Sequence, residues 1–146
     1  MNSKLLVLLF FGVFIGAYAQ QEITWKDLAN VKFSTKYVES EDGDVLIPVF
    51  GDAIKKIEGK EISVTGYFLN LDASTKSFML SKSPMSACFF CGAGGPETVI
   101  EIHFAKKEEQ YKTDKIITIT GVLKLNQTDI NHCNYILEKA RGTSFD

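Results

Sequence analysis

KEISVTGYF, residues 60–68, returns 55 positions later as KIITITGVL, residues 115–123. Each copy opens with Lys, carries apolar residues at its third and fifth places, and then reads Thr-Gly before another apolar residue. Ile62, Val64 and Phe68 share one face under a period of two, as do Ile117, Ile119 and Leu123. That alternation is the signature of a half-buried strand. Gly66 and Gly121 interrupt both strands at the same point. Glycine inside a strand sacrifices packing and entropy, so it marks a bend, a bulge or a close backbone approach.

Working outward, residues 77–82 follow the turn-like LDASTK, and residues 98–105 are rich in β-branched types. Both read as strands between the two copies. The polar segment KKEEQYKTD, residues 106–114, reads as a connection able to hold a short helix. Residues 134–139 complete the pattern as a last strand. The order strand, strand, strand, helical connection, strand, strand is that of the OB-fold, a small five-stranded barrel. The two glycines supply the bends that closure requires. Ile130, Cys133, Leu137 and Ala140 also have roughly helical spacing, with Gly142 as a cap. The alternative is therefore an open antiparallel sheet with a C-terminal helix. Either way the chain is mainly β with minor α.

Ahead of the barrel, Thr24-Trp25-Lys26-Asp27 reads as a capping box opening a short helix over residues 25–30. Residues 31–37 alternate as a strand, residues 41–44 form a turn, and VLIPVF resumes extended structure. Pro48 lacks a donor, so that strand lies at an edge or is short. Residues 52–58 predict one or two helical turns ended by Gly59. The very start differs: Lys4, a thirteen-residue apolar run and Ala17-Tyr18-Ala19 make a cleavable signal peptide. The run falls short of the roughly 20 residues a spanning helix needs. The division is residues 1–19 signal peptide, 20–58 helix and strand extension, and 59–146 OB-like domain. The expected location is periplasmic or secreted, with no membrane insertion after cleavage.

Lys4 is the leader's only charge, so the remainder carries 15 basic against 18 acidic residues, a net charge of −3. That balance opposes binding to a phosphate backbone and excludes a nucleic-acid partner. There is no G-x-S-x-G elbow, phosphate loop or H-E-x-x-H, and the carboxylates are scattered, so the reading is noncatalytic.

Chemistry concentrates instead in SACFFCGAGGPE, residues 86–97. Cys88 and Cys91 have the spacing of one zinc-ribbon knuckle, in which two thiolates converge on one tetrahedral ion. A knuckle gives two ligands; Cys133, His132 and His103 are the candidates to complete a zinc site. His132 and Cys133 are adjacent and point to opposite faces of a strand, so one of them would join. His103 shares a strand face with Glu101 and Val99. A redox pair lacks the helix that lowers a thiol pKa, because three glycines and a proline follow within five residues. A local disulfide restricts a loop this short by only about 2 kcal/mol. Against these stand simpler roles: Cys133 as a small core residue, His103 as an exposed strand residue and His132 as a turn residue. Metal site, disulfide or redox pair, and a structural cysteine loop on a protein-interaction module all stay open.

TWKDL, GKEISVTGYFLNLD, CFFCG followed by GPE, and LNQTDINHCNYIL together resemble a family of small exported bacterial proteins of unknown function. The resemblance covers most of residues 20–146. It implies a periplasmic location, an OB-like core, and a loose association with membrane transport systems, some concerned with zinc. The family's motif cysteines fall on Cys88 and Cys91, and its tail motif on residues 129–137. A metal ion and a membrane transporter or other exported protein are the partners it implies.

Overall fold

A computed structural model describes residues 20–72, 77–106 and 111–144. Residues 1–19, expected to be a signal peptide, lie outside the described residues, and so does the middle of the connection expected to hold a helix. Its described remainder, from Tyr111, forms a turn. No helix among the described residues is long and apolar enough to cross a membrane.

The elements are β1 (Gln21–Glu22), α1 (Trp25–Leu28), β2 (Val31–Val38), β3 (Gly43–Phe50), α2 (Asp52–Lys55), β4 (Glu61–Asp72), β5 (Ser77–Ser81), β6 (Val99–Phe104), β7 (Ile116–Leu125) and β8 (Tyr135–Ser144). Five of them close a ring in the order β4-β5-β6-β8-β7 and back to β4. β6 and β8 run parallel, and the other ring pairs are antiparallel. This is the OB arrangement. β1 is bonded to β4 outside the ring, in parallel.

The two copies of the repeat are antiparallel partners. Val64 faces Ile119, and each glycine faces an isoleucine of the other copy, Ile62 with Gly121 and Gly66 with Ile117. The pairing is thus nearly two-fold symmetric about Val64 and Ile119. Both glycines answer to close approach. A Cβ on Gly66 would lie 2.6 Å from the Ser81 carbonyl oxygen and 2.9 Å from the Trp25 ring. One on Gly121 would lie 2.9 Å from the Glu138 carbonyl oxygen.

The C-terminal segment is a strand, and the open sheet with a C-terminal helix is overturned. The misleading spacing has a local cause. Lys139 takes φ 51° and is an extra residue in the ladder. On one side the register steps from Ile102–Leu137 to Phe104–Ala140, and on the other from Val122–Glu138 to Thr120–Arg141. Inward residues therefore run Tyr135, Leu137, Ala140. A bulge inserts the three-residue step that imitates a helix.

The barrel core holds Val64, Phe68, Leu80, Ile100, Ile119 and Leu137, all essentially without exposure. Leu28, Phe50 and Ile54 of the preceding segment join the same cluster. α1 is fastened from two sides. The buried Tyr135 hydroxyl donates to the Leu28 carbonyl at 2.6 Å, and the Trp25 indole N–H donates to the Thr65 carbonyl at 2.8 Å. At its start the Asp27 carboxylate accepts from both the Thr24 amide and hydroxyl, each at 2.7 Å. The hydroxyl thus turns to the carboxylate, while the Thr24 carbonyl takes the Asp27 amide. β2 and β3 form a separate hairpin, with Pro48 opposite Phe33. β3 pairs with β2 alone, as the proline requires.

Candidate metal centre and adjoining cleft

Strand alternation sorts β5 and β6. Phe78, Leu80, Ile100 and Ile102 enter the core, leaving Met79, Glu101 and His103 on the outer face. Met79 and Glu101 are direct cross-strand partners. Parallel pairing of β6 with β8 sets Glu101 opposite Ile136. The loop that leads into β8 therefore runs beside Glu101.

Asn126 shapes that loop. Its side-chain amide donates to the carbonyls of Asp129 at 2.6 Å, His132 at 3.2 Å and Cys133 at 3.2 Å. Its oxygen accepts from the amides of Thr128 and Asp129. Asn126 is 8% exposed, so the side chain of this Asn-x-Thr sequence is committed to the loop's own hydrogen bonds. The result is a fixed place for His132.

Glu101 Oε1 lies 2.6 Å from His103 Nε2 and 2.8 Å from His132 Nδ1. Its Oε2 accepts the Cys133 amide at 3.0 Å. The two imidazole rings are 6.0 Å apart between centroids. Burial by itself pushes the Glu101 carboxyl up, but the bonds from His103, the Cys133 amide and His132 outweigh it, and the pKa lies below the ordinary value. The group is thus an anion at neutral pH. Glu101, His103 and His132 are the one set of three His, Cys, Asp or Glu ligand atoms lying within 4.8 Å of one another among the described residues.

The five ligands expected from sequence occupy three places. His103 and His132 come together on Glu101. Cys88 and Cys91 meet each other, sulfur to sulfur, at 3.9 Å. Cys133 lies against Met79, with its Sγ 3.7 Å from the thioether sulfur. Its thiol is pushed up to about 12, by burial first and the Glu101 charge second. Cys133 is thus half-buried in the small apolar cluster of Leu69, Met79 and Cys88 beneath the cysteine loop.

The cysteine loop is one tight turn. Gly92 takes φ 81°, a conformation that favours glycine. This lets the amides of both Cys91 and Ala93 reach the Cys88 carbonyl, at 3.0 and 3.2 Å. The Gly92 amide goes to the Phe89 carbonyl. These amides bind carbonyl oxygens, whereas a zinc knuckle turns such donors toward sulfur. Cys88 is buried and Cys91 exposed. The bond with Cys88, then desolvation and the neighbouring thiol's charge, hold the Cys91 pKa above its ordinary value. A thiol used as a redox nucleophile is shifted the other way.

Sequence reasoning missed Glu101 as a candidate ligand. The available signal was Glu-x-His at residues 101–103, which puts both side chains on one strand face.

A cleft of about 440 Å³ lies alongside, lined by Leu46 and Ile47 of β3, Phe89 and Phe90 of the cysteine turn, and Ile130 and His132 of the loop. Glu101 and Cys133 also line it. A hydrogen bond from the Gln127 side chain to the Pro48 carbonyl, 2.9 Å, ties the loop to the hairpin.

No family model matches the chain, and no curated protein matches it at significance. Among solved structures it is similar to a DUF3299 family protein from Pseudomonas aeruginosa. The TM-score is 0.54 at 16% identity, over 88% of this chain and 99% of that one. At that identity the likeness speaks to the fold alone.

Proposed function

We propose that this protein is an exported, noncatalytic OB-barrel module that binds a transition-metal ion, zinc, through Glu101, His103 and His132. The observation that carries the reading is the convergence of two imidazole nitrogens on a single carboxylate oxygen, at 2.6 and 2.8 Å. Imidazole and carboxylate are both ordinary zinc ligands.

Without metal, Glu101 Oε1 accepts a proton-bearing nitrogen from each ring. A metal would take the place of those two protons, with each imidazole presenting its lone pair from the other tautomer. Bonds of about 2.0–2.1 Å at tetrahedral angles separate ligand atoms by about 3.3 Å. The cluster must therefore open by about 0.5–0.7 Å from the 2.6 and 2.8 Å contacts. Exposed imidazoles, at 46% and 44% side-chain exposure, permit that. The Cys133 amide holds the other carboxylate oxygen and keeps Glu101 aimed. Three protein ligands leave one position for an outside donor.

The second reading places the metal, or a disulfide, at Cys88 and Cys91, favoured by their 3.9 Å sulfur separation. A periplasmic or secreted location and an accessory role to a membrane transporter or other exported protein belong to the proposal. They draw support from the leader-like residues 1–19 and from the family resemblance.

Calorimetric titration of metal-stripped residues 20–146 with Zn²⁺ tests the reading. One ion per chain is expected, retained in Cys88→Ser/Cys91→Ser and lost in His103→Ala/His132→Ala. Loss in the cysteine variant alone moves the metal to the thiol pair. No uptake by the parent protein refutes metal binding altogether.

A further inference from the structure

Six large apolar side chains stand exposed among the described residues, and three of them line the 440 Å³ cleft beside the candidate metal centre: Leu46 at 52%, Phe90 at 46% and Ile130 at 41%. They come from three different segments, namely the hairpin, the cysteine turn and the loop before β8. Isolated exposed apolar residues need no explanation, but their gathering around a concavity does. The cleft volume, about 440 Å³, falls within the range of small-molecule sites, and apolar walls with a few convergent polar groups are their usual make-up.

Polar side chains also line the cleft, among them Glu101 and His132. The same two line a second hollow that includes His103, so a metal held by the three would face both. A divalent ion with one carboxylate and two neutral imidazoles carries a net charge of +1 and keeps an open position. The donor that satisfies both is a monoanion. Asp129 is the other carboxylate on the cleft wall. One of its oxygens accepts from the Asn131 amide at 3.0 Å and side chain at 3.1 Å, and it is not among the three ligand atoms gathered at the candidate site. A neutral or cationic head would leave the site charge unbalanced. A short polar anion would leave the apolar walls wet.

We infer that the cleft binds a small amphiphile, an aliphatic chain carrying one carboxylate-type head that coordinates the metal at Glu101, His103 and His132. The inference rests on the metal reading above. It adds the chemical class of the ligand and gives the CFFC turn a part in the site. Phe89 and Phe90, the two residues between the cysteines, build one wall, their rings set edge to face at 5.5 Å.

The test uses residues 20–146, zinc-loaded and metal-free, titrated separately with decanoate, acetate and decanol. Decanoate should bind the zinc-loaded protein at least about tenfold more tightly than the metal-free protein, and more tightly than acetate. Decanol should show no dependence on zinc. Leu46→Ser/Phe90→Ser alters two exposed side chains and no metal ligand. It should weaken decanoate by about tenfold while zinc affinity is unchanged. If zinc binds but decanoate binds no better than acetate, or the serine variant binds it as the parent does, the amphiphile site is overturned and the metal centre stands. If zinc does not bind, the metal reading fails, and with it the coordinated head.

Discussion

Replacing Gly66 with alanine puts one methyl group where β4, β5 and α1 meet. Its Cβ would stand 2.6 Å from the Ser81 carbonyl oxygen, 2.9 Å from Trp25 Cζ2 and 3.1 Å from Leu80 Cγ. The first contact is with backbone of the neighbouring strand and cannot be relieved by a rotamer change. The second presses on an indole whose N–H is bonded to the Thr65 carbonyl. Forcing a methyl into packed surroundings costs about 1–3 kcal/mol, and loosening the indole bond adds about 1 kcal/mol. Alanine restricts the unfolded chain and returns about 0.4–1 kcal/mol. The net expectation is a loss of about 2 kcal/mol, or roughly 8 °C in Tm for a domain of this size. Trp25 is the only tryptophan, so its emission reads both the unfolding transition and any displacement of the ring. Gly43→Ala is the control: its Cβ would meet nothing closer than the Glu41 oxygen at 3.6 Å. That variant should match the parent or gain up to about 0.5 kcal/mol. A Gly66→Ala protein as stable as the parent in denaturant, with unchanged emission, would refute the close-approach account of the repeat. So would an equal loss in Gly43→Ala.

Two further outcomes follow from buried groups. Tyr135→Phe removes the hydroxyl that reaches the Leu28 carbonyl at 2.6 Å and strands that acceptor, so it should destabilise by about 1–2 kcal/mol. Denaturant unfolding measures the loss, and a neutral result would mean that the bond does not secure α1. In the reduced protein, alkylation at pH 8 followed by peptide mass analysis should find Cys91 modified first, because it is exposed while Cys88 is 1% exposed. Cys133, with its thiol pushed up to about 12, should react more slowly than Cys91, its rate rising about tenfold per pH unit as the thiolate fraction grows. Equal rates at Cys133 and Cys91 would contradict the burial assigned to Cys133.

Alternation and punctuation, both local properties, made most of the fold readable. Period-two patterning located the two copies of the repeat, turn residues and β-branched content located the two strands between them, and the shared Thr-Gly of the two copies announced a constraint on both. Pro48 marked its strand as an edge or a short one without reference to any partner. The last segment resisted because a bulge at Lys139 breaks the period. A two-residue alternation with one residue inserted reads like a helix until its partners on β6 and β7 are seen. β1 offered only Gln21 and Glu22, too short to show any period.

The sequence by itself determined that this chain is mainly β with two glycine-constrained strands, because periodicity and backbone conformation are decided by neighbours along the chain; closure of the barrel was decided by strand pairing. It also supplied every side chain of the candidate centre. Only the tertiary structure decided which of them meet. Glu101 and His132 are 31 positions apart and become neighbours because β6 and β8 pair in parallel, bringing the start of one strand beside the loop that feeds the other. Sequence proximity favoured the two cysteines. Strand pairing instead brought a carboxylate and two imidazoles together as a candidate set, since which side chains meet is a matter of distance in space.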